Sequence, residues 1–84
     1  MNDHERTLRS EKARMLLEDA TFKEAVAGVE KAAIEAMISA KTDDERRRAA
    51  DFVIAIRSVS GQLRSWQMDG KMIAAKQANN NSVA

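Results

Sequence analysis

Apolar residues recur along most of this chain at alternating steps of four and three positions. That spacing follows one face of a helix, and it predicts amphipathic α-helices over about residues 5–19, 22–40 and 43–69, with residue 77 as an alternative end of the last. The stripe of the second segment comprises Phe22, Val26, Val29, Ala33, Ala36 and Ala40. That of the third comprises Ala49, Phe52, Ile56, Val59, Leu63, Trp66, Gly70 and Ile73. The fold class expected is all-α.

Two capping signals mark where helices begin. Thr21 with Glu24, and Thr42 with Glu45, have the spacing of a capping box, in which the Thr hydroxyl and the Glu carboxylate each accept from a backbone N–H. The apolar pattern pauses just before the second box, so residues 41–43 are the predicted turn.

Two heptad-patterned arms joined by a short turn predict an antiparallel helical hairpin. Ala33 then faces Phe52, Met15 lies near Gly70, and the alanine-rich end is expected to be the tightly packed one. The first segment either continues the second beyond a kink at residues 19–21 or folds back as a third helix. The polar end, 79–84, is expected to be a flexible tail, which leaves one domain over residues 1–78.

Composition supports helices and points to a partner. The 84 residues include no Pro, no Cys and three Gly, and 32% are charged. A domain this short has a marginal core and no disulfide to reinforce it, so an oligomer is expected. No apolar run approaches the roughly 18 residues that span a bilayer, and no signal peptide is apparent. We therefore expect an intracellular protein without a membrane partner.

A second apolar stripe runs along the second segment, turned by about 120–160° from the first at roughly 100° per residue. A two-helix hairpin cannot bury both stripes, and such a face on a small domain indicates a protein interface. Burial under residues 5–19 is the alternative. The predicted interface residues are Leu16, Ala27, Ile34, Ile38 and Ile54.

The run T-D-D-E-R-R-R, residues 42–48, places three acids before three arginines. Arg46, Arg47 and Arg48 point about 100° apart on a helix, so they form no single basic face. Asp43 with Arg47, and Asp44 with Arg48, are spaced for i,i+4 pairs with the acid first. The acids also suit the positive end of the helix dipole, so this run is interpreted as a helix start.

A basic stripe on the third segment has two interpretations. It could follow a phosphate backbone as a nucleic-acid contact. Alternatively, its side chains cover the seam between helices and pair with Glu30 or with acids of a neighbouring subunit. The stripe comprises Arg46, Arg57, Arg64 and Lys71.

Residues for chemistry are sparse. His4 is the single histidine and there is no Cys, so a zinc site lacks ligands. The serines have no triad partners, and no Gly-rich loop suits phosphate. The sequence predicts no enzyme, no cofactor and no metal.

The runs L-L-E-D-A-T-F-K-E-A-V (Leu16–Val26) and R-S-V-S-G-Q-L-R-S-W-Q-M-D-G-K (Arg57–Lys71) resemble short all-helical proteins encoded among the capsid, portal and packaging genes of tailed bacteriophages. The resemblance spans about residues 15–75, and no functional residue carries over from it. It implies a virion structural or assembly role, in the host cytoplasm or the virion, with a capsid or portal component as a possible larger partner. The alternatives are a small packaging-related nucleic-acid-binding module and a small regulator that docks on a larger protein.

Overall fold

The structure, a computed structural model, describes residues 1–83 and the side chains of residues 1–81. Its helices are α1 (Asp3–Glu18), α2 (Ala20–Ser39) and α3 (Asp43–Val83), and the described residues contain no strand. The all-α prediction is confirmed. α3 continues past both predicted ends, so residues 79–83 are helical; Ala84 lies outside the described residues, and mobility of this end stays a prediction.

The first two helices are separated by a single extended residue, Asp19. Its carboxylate accepts a hydrogen bond from the Phe22 amide at 2.7 Å, which makes Asp19 the N-cap of α2. The predicted start at Thr21 is therefore wrong. Asp is among the strongest N-cap residues, and here it takes that position two residues before Thr21. Asn2 caps α1 in the same way by accepting from Glu5.

The start of α3 is close to the prediction. The Thr42 hydroxyl accepts from the Glu45 amide at 3.1 Å. The Glu45 carboxylate accepts from the amide of Lys41 at 3.0 Å, one residue earlier than in a standard capping box.

The charged run after this cap forms local ion pairs. Asp44 pairs with Arg48 at 2.8 Å, as predicted. Asp43 pairs with Arg46 at 2.6 Å and not with Arg47. The interpretation of this run as a helix start is confirmed.

α1 and α2 both run antiparallel to α3 and pack against it, one after the other. Glu30 of α2 meets Arg57, whereas Ser10 of α1 meets Gln67. α1 and α2 touch each other far less than either touches α3. α1 thus continues the α2 arm and does not cover α2. Because Asp19 interrupts the helix, α1 adopts its own register, and Ser10 rather than Met15 lies against Gly70.

The core is a thin seam. No large side chain among the described residues is completely buried, and the buried apolar residues are Ala13, Ala33, Val53, Leu63 and Ile73. Val53 faces inward where the sequence favoured Phe52, which is 54% exposed. A stripe with steps of three and four residues can pass through either Phe52 or Val53. In the structure Val53 and the half-buried Ser60 lie on the seam, so their larger neighbours Phe52 and Val59 remain outside.

This thin core belongs to an elongated molecule measuring 65 × 24 × 19 Å. Its radius of gyration is 18.1 Å, against about 12 Å for a compact domain of this length. The accessible surface is 6420 Å², whereas about 5,000 Å² is expected for a folded monomer of this mass. The chain therefore leaves roughly 1,400 Å² more surface exposed than a compact monomer would.

Candidate interaction surface

The α1–α3 half is held by a close helix contact. The buried Ser10 hydroxyl donates to the Gln67 carbonyl at 3.2 Å. Gly70 lies directly beside it, and a Cβ atom at that position would overlap the Ser10 side chain. Two helices thus approach closely at the α1 end, whereas the sequence predicted tight packing at the alanine-rich end.

Charged side chains also join α1 to α3 in this half of the molecule. The Arg6 guanidinium donates two hydrogen bonds to Asp69, from Nε at 3.0 Å and from Nη2 at 2.5 Å. These bonds, opposed by partial burial, hold the pKa of the Asp69 carboxyl below its usual value. Arg9 lies over the Trp66 ring, 4.7 Å from its centroid, in a cation–π contact. Sequence reasoning missed all of these contacts, because they depend on where α1 packs.

The α2–α3 half has an open apolar groove on one edge. We call it the alanine groove; its volume is about 530 Å³, and Phe52 is among the residues that line it. Glu45 and Arg48 contribute one charge of each sign. Its remaining lining residues are Val29, Ala32, Ala33, Ala36 and Ala49.

A second groove, the basic groove, lies at the bend between α1 and α2. It has a volume of about 340 Å³, with Leu17, Phe22 and Val26 among its apolar residues. Its charged residues are Lys23, Glu30, Arg57 and Arg64, and Arg57 pairs with Glu30 at 2.8 Å. Three bases and one acid therefore surround this groove.

Two of the predicted interface residues line different grooves. Leu16 lines a groove beside Leu63 and Trp66, whereas Ala27 lines the basic groove. Ile34 is half-buried. Ile38 and Ile54 are 78% and 62% exposed. The break at Asp19 separates the α1 and α2 parts of the stripe.

The residues of the predicted basic stripe have different neighbours. Arg57 and Arg64 share the basic groove. Lys71 lines a different groove with Ser10, and Arg46 is paired with Asp43. The expectation that this stripe pairs with Glu30 is confirmed for Arg57 alone.

The alanine groove was missed as an outer surface. Its residues Val29, Ala36 and Phe52 were assigned to the hairpin seam, although each is exposed. The sequence did contain a signal for this outcome. Val53, directly beside Phe52, is also apolar and can take the seam position of the heptad pattern instead.

Comparison with known proteins identifies no relative of this chain. No protein-family model matches the chain, and no curated protein or solved structure is similar to it. Among the described residues, no group of three or more His, Cys, Asp or Glu side chains is arranged to hold a metal ion. The described helices include none with the length and apolar character needed to cross a membrane.

Proposed function

We propose that this protein acts without catalysis, through protein–protein contacts, as a helical-hairpin subunit that associates with itself. The observation that carries this proposal is the accessible surface of 6420 Å², well above the roughly 5,000 Å² of a compact monomer. Chains with so thin a core are commonly stabilised by association. Exposed Phe52 and Val59 provide apolar surface for it.

The setting that we propose is a bacteriophage particle or its assembly in the host cytoplasm. Support comes from the resemblance of the runs 16–26 and 57–71 to helical proteins of phage capsid and packaging gene clusters. A capsid or portal component would be the larger partner in this setting. Self-association is the part of the proposal that the shape of the subunit supports directly.

Light scattering behind a sizing column, over a concentration series, tests self-association. A mass that stays well above 9.3 kDa on dilution is the expected result. A mass of 9.3 kDa at every concentration would exclude it, and the regulator that docks on a larger protein would then be the better hypothesis.

Nucleic-acid binding is a second candidate, favoured by the meeting of Lys23, Arg57 and Arg64 around one groove. The pairing of Arg57 with Glu30 reduces the charge available for phosphate. If binding occurs there, affinity should fall steeply with added salt and drop in a variant carrying Arg57→Glu and Arg64→Glu. Absence of binding to single- and double-stranded DNA at about 50 mM salt, where phosphate contacts are strong, would eliminate this candidate.

A further inference from the structure

One line of apolar residues on α3 is packed at one end and unpacked at the other. Phe52, Val59, Trp66 and Ile73 recur every seven positions, so they lie along one side of the helix. In the α1 half, Ile73 is 5% exposed and Trp66 is half-buried beneath Arg9. In the α2 half, Phe52 and Val59 are 54% and 53% exposed. In the part of α3 that packs against α2, this line of residues therefore lacks a packing partner.

We infer that the missing partner is a second copy of this chain, with the Phe52 ring of each copy packed into the alanine groove of the other. This inference rests on the proposed self-association and names its surface. The groove of about 530 Å³ has Ala32, Ala36 and Ala49 in its walls. Alanines have no side chain beyond Cβ, so an aromatic ring packs closely against them.

The face is complementary to itself. Phe52 is 54% exposed and is itself one of the lining residues of the alanine groove, so an exposed ring and an alanine-lined recess belong to the same edge. A two-fold axis brings each ring to the other recess, because in such an interface residue i contacts j while j contacts i. Glu45 and Arg48 give this groove charges of both signs, so two copies meet without a net repulsion.

The size of the exposed surface agrees with this partner. The subunit exposes roughly 1,400 Å² more than a compact monomer of its mass. Obligate interfaces bury about 2,000–5,000 Å² in total, or roughly 1,000–2,500 Å² from each subunit. The excess therefore falls within the range of surface that one subunit of an obligate dimer contributes to its interface.

The test is the molar mass of five single variants. Phe52→Glu on α3 and Ala36→Glu on α2 each place a charge in the lining of the alanine groove. Ile54→Glu and Ile38→Glu are matched controls on the same helices, at exposed positions that do not line this groove. The groove variants are expected to scatter as 9.3 kDa monomers at concentrations where the unmodified chain and both controls remain associated. The conservative Phe52→Leu should retain the mass of the unmodified chain.

Cysteine labelling gives a readout that does not depend on how the charged variants fold. The chain contains no Cys, so Ala36→Cys provides a unique thiol at the groove and Ile54→Cys a unique control thiol. Maleimide modification of Ala36→Cys should slow several-fold as protein concentration rises, while that of Ile54→Cys should not change.

The other outcomes separate the two proposals. If Ile54→Glu or Ile38→Glu dissociates the assembly while the groove variants do not, the inferred surface is wrong and self-association stands. If the modification rate of the Ala36→Cys thiol is independent of concentration while the mass is above 9.3 kDa, the same conclusion follows. A monomeric unmodified chain would overturn both.

Discussion

Gly70 lies against Ser10 so closely that any Cβ atom at position 70 would overlap the serine side chain. A glycine in the middle of a 41-residue helix normally weakens it, by about 1 kcal/mol relative to alanine. Here it permits the approach of α1, and the Ser10 hydroxyl donates to the Gln67 carbonyl on the same side of α3.

We therefore expect Gly70→Ala to destabilise the fold by about 1–3 kcal/mol, the usual effect of overpacking, in spite of the better helix propensity. The matched control is Gly28→Ala, where a Cβ meets no atom within 4 Å. That change should stabilise by about 0.5–1 kcal/mol. Urea unfolding followed by circular dichroism measures both. A stabilised Gly70→Ala variant would contradict the close contact, and Ser10→Gly should partly restore stability in its presence.

The sequence predicted local features better than long-range ones. Helix content and the Thr42–Glu45 cap depend on neighbouring residues, so the pattern was sufficient for them. The contacts of Ser10 with Gly70 and of Arg6 with Asp69 join residues about sixty positions apart, and they depend on the direction that α1 takes after Asp19. No local pattern determines that direction.

The candidate surface was harder to predict for a different reason. The steps of three and four fit either Phe52 or its neighbour Val53, and the stripe predicted from the sequence ran through Phe52. The structure shows the opposite assignment, with Val53 buried and Phe52 exposed. A narrow seam between closely spaced helices favours the smaller side chain, and this shift of one residue leaves Phe52 on an outer edge.

Asp19 determines where the arm bends, and its removal provides a second prediction. Asp19→Ala deletes the acceptor of the Phe22 amide and should cost about 0.5–2 kcal/mol. Thr21→Ala is the control, because Asp19 and not Thr21 is the N-cap, and it should change stability by less than about 0.5 kcal/mol. Equilibrium urea unfolding compares the two variants. A larger loss at Thr21 than at Asp19 would mean that α2 begins at the capping box after all.

The bidentate contact between Arg6 and Asp69 predicts a dependence on pH. Folding lowers the pKa of Asp69, chiefly through hydrogen bonds from Arg6. The resulting stabilisation is complete above the unfolded pKa, about 3.9 for Asp, and is lost as the pH falls through the lower folded value. Asp69→Asn should therefore unfold at a lower temperature at neutral pH, and the difference from the unmodified chain should shrink in acid.

Glu11→Gln is the control for this pH experiment. Arg14 also lowers the pKa of Glu11, again chiefly by a hydrogen bond, but both residues belong to α1. The pair does not join two helices, so its loss should change the thermal midpoint less than Asp69→Asn does. Equal acid sensitivity of Asp69→Asn and the unmodified chain would show that the contact contributes nothing to folding.

The amides of α1 and α2 should exchange hydrogen at different rates, because the two halves of the molecule open locally with different free energies. α1 is fastened by Ser10, by the Arg6–Asp69 contact and by Arg9 over Trp66. In α2 the one buried residue is Ala33. Segments with few buried contacts open at lower free energy. Amides in the middle of α2 are thus expected to exchange at least about tenfold faster than those in the middle of α1, a difference of about 1.4 kcal/mol.

Hydrogen exchange resolved by mass spectrometry of peptic fragments measures this difference. It should be largest in dilute protein, because association through the alanine groove would add contacts to α2 and slow its exchange. Phe52→Glu should then keep α2 exchange fast at every concentration, while Ile54→Glu should behave like the unmodified chain. Equal protection of α1 and α2 in dilute protein would mean that the two halves unfold as one cooperative unit, despite the unequal contacts that each makes with α3.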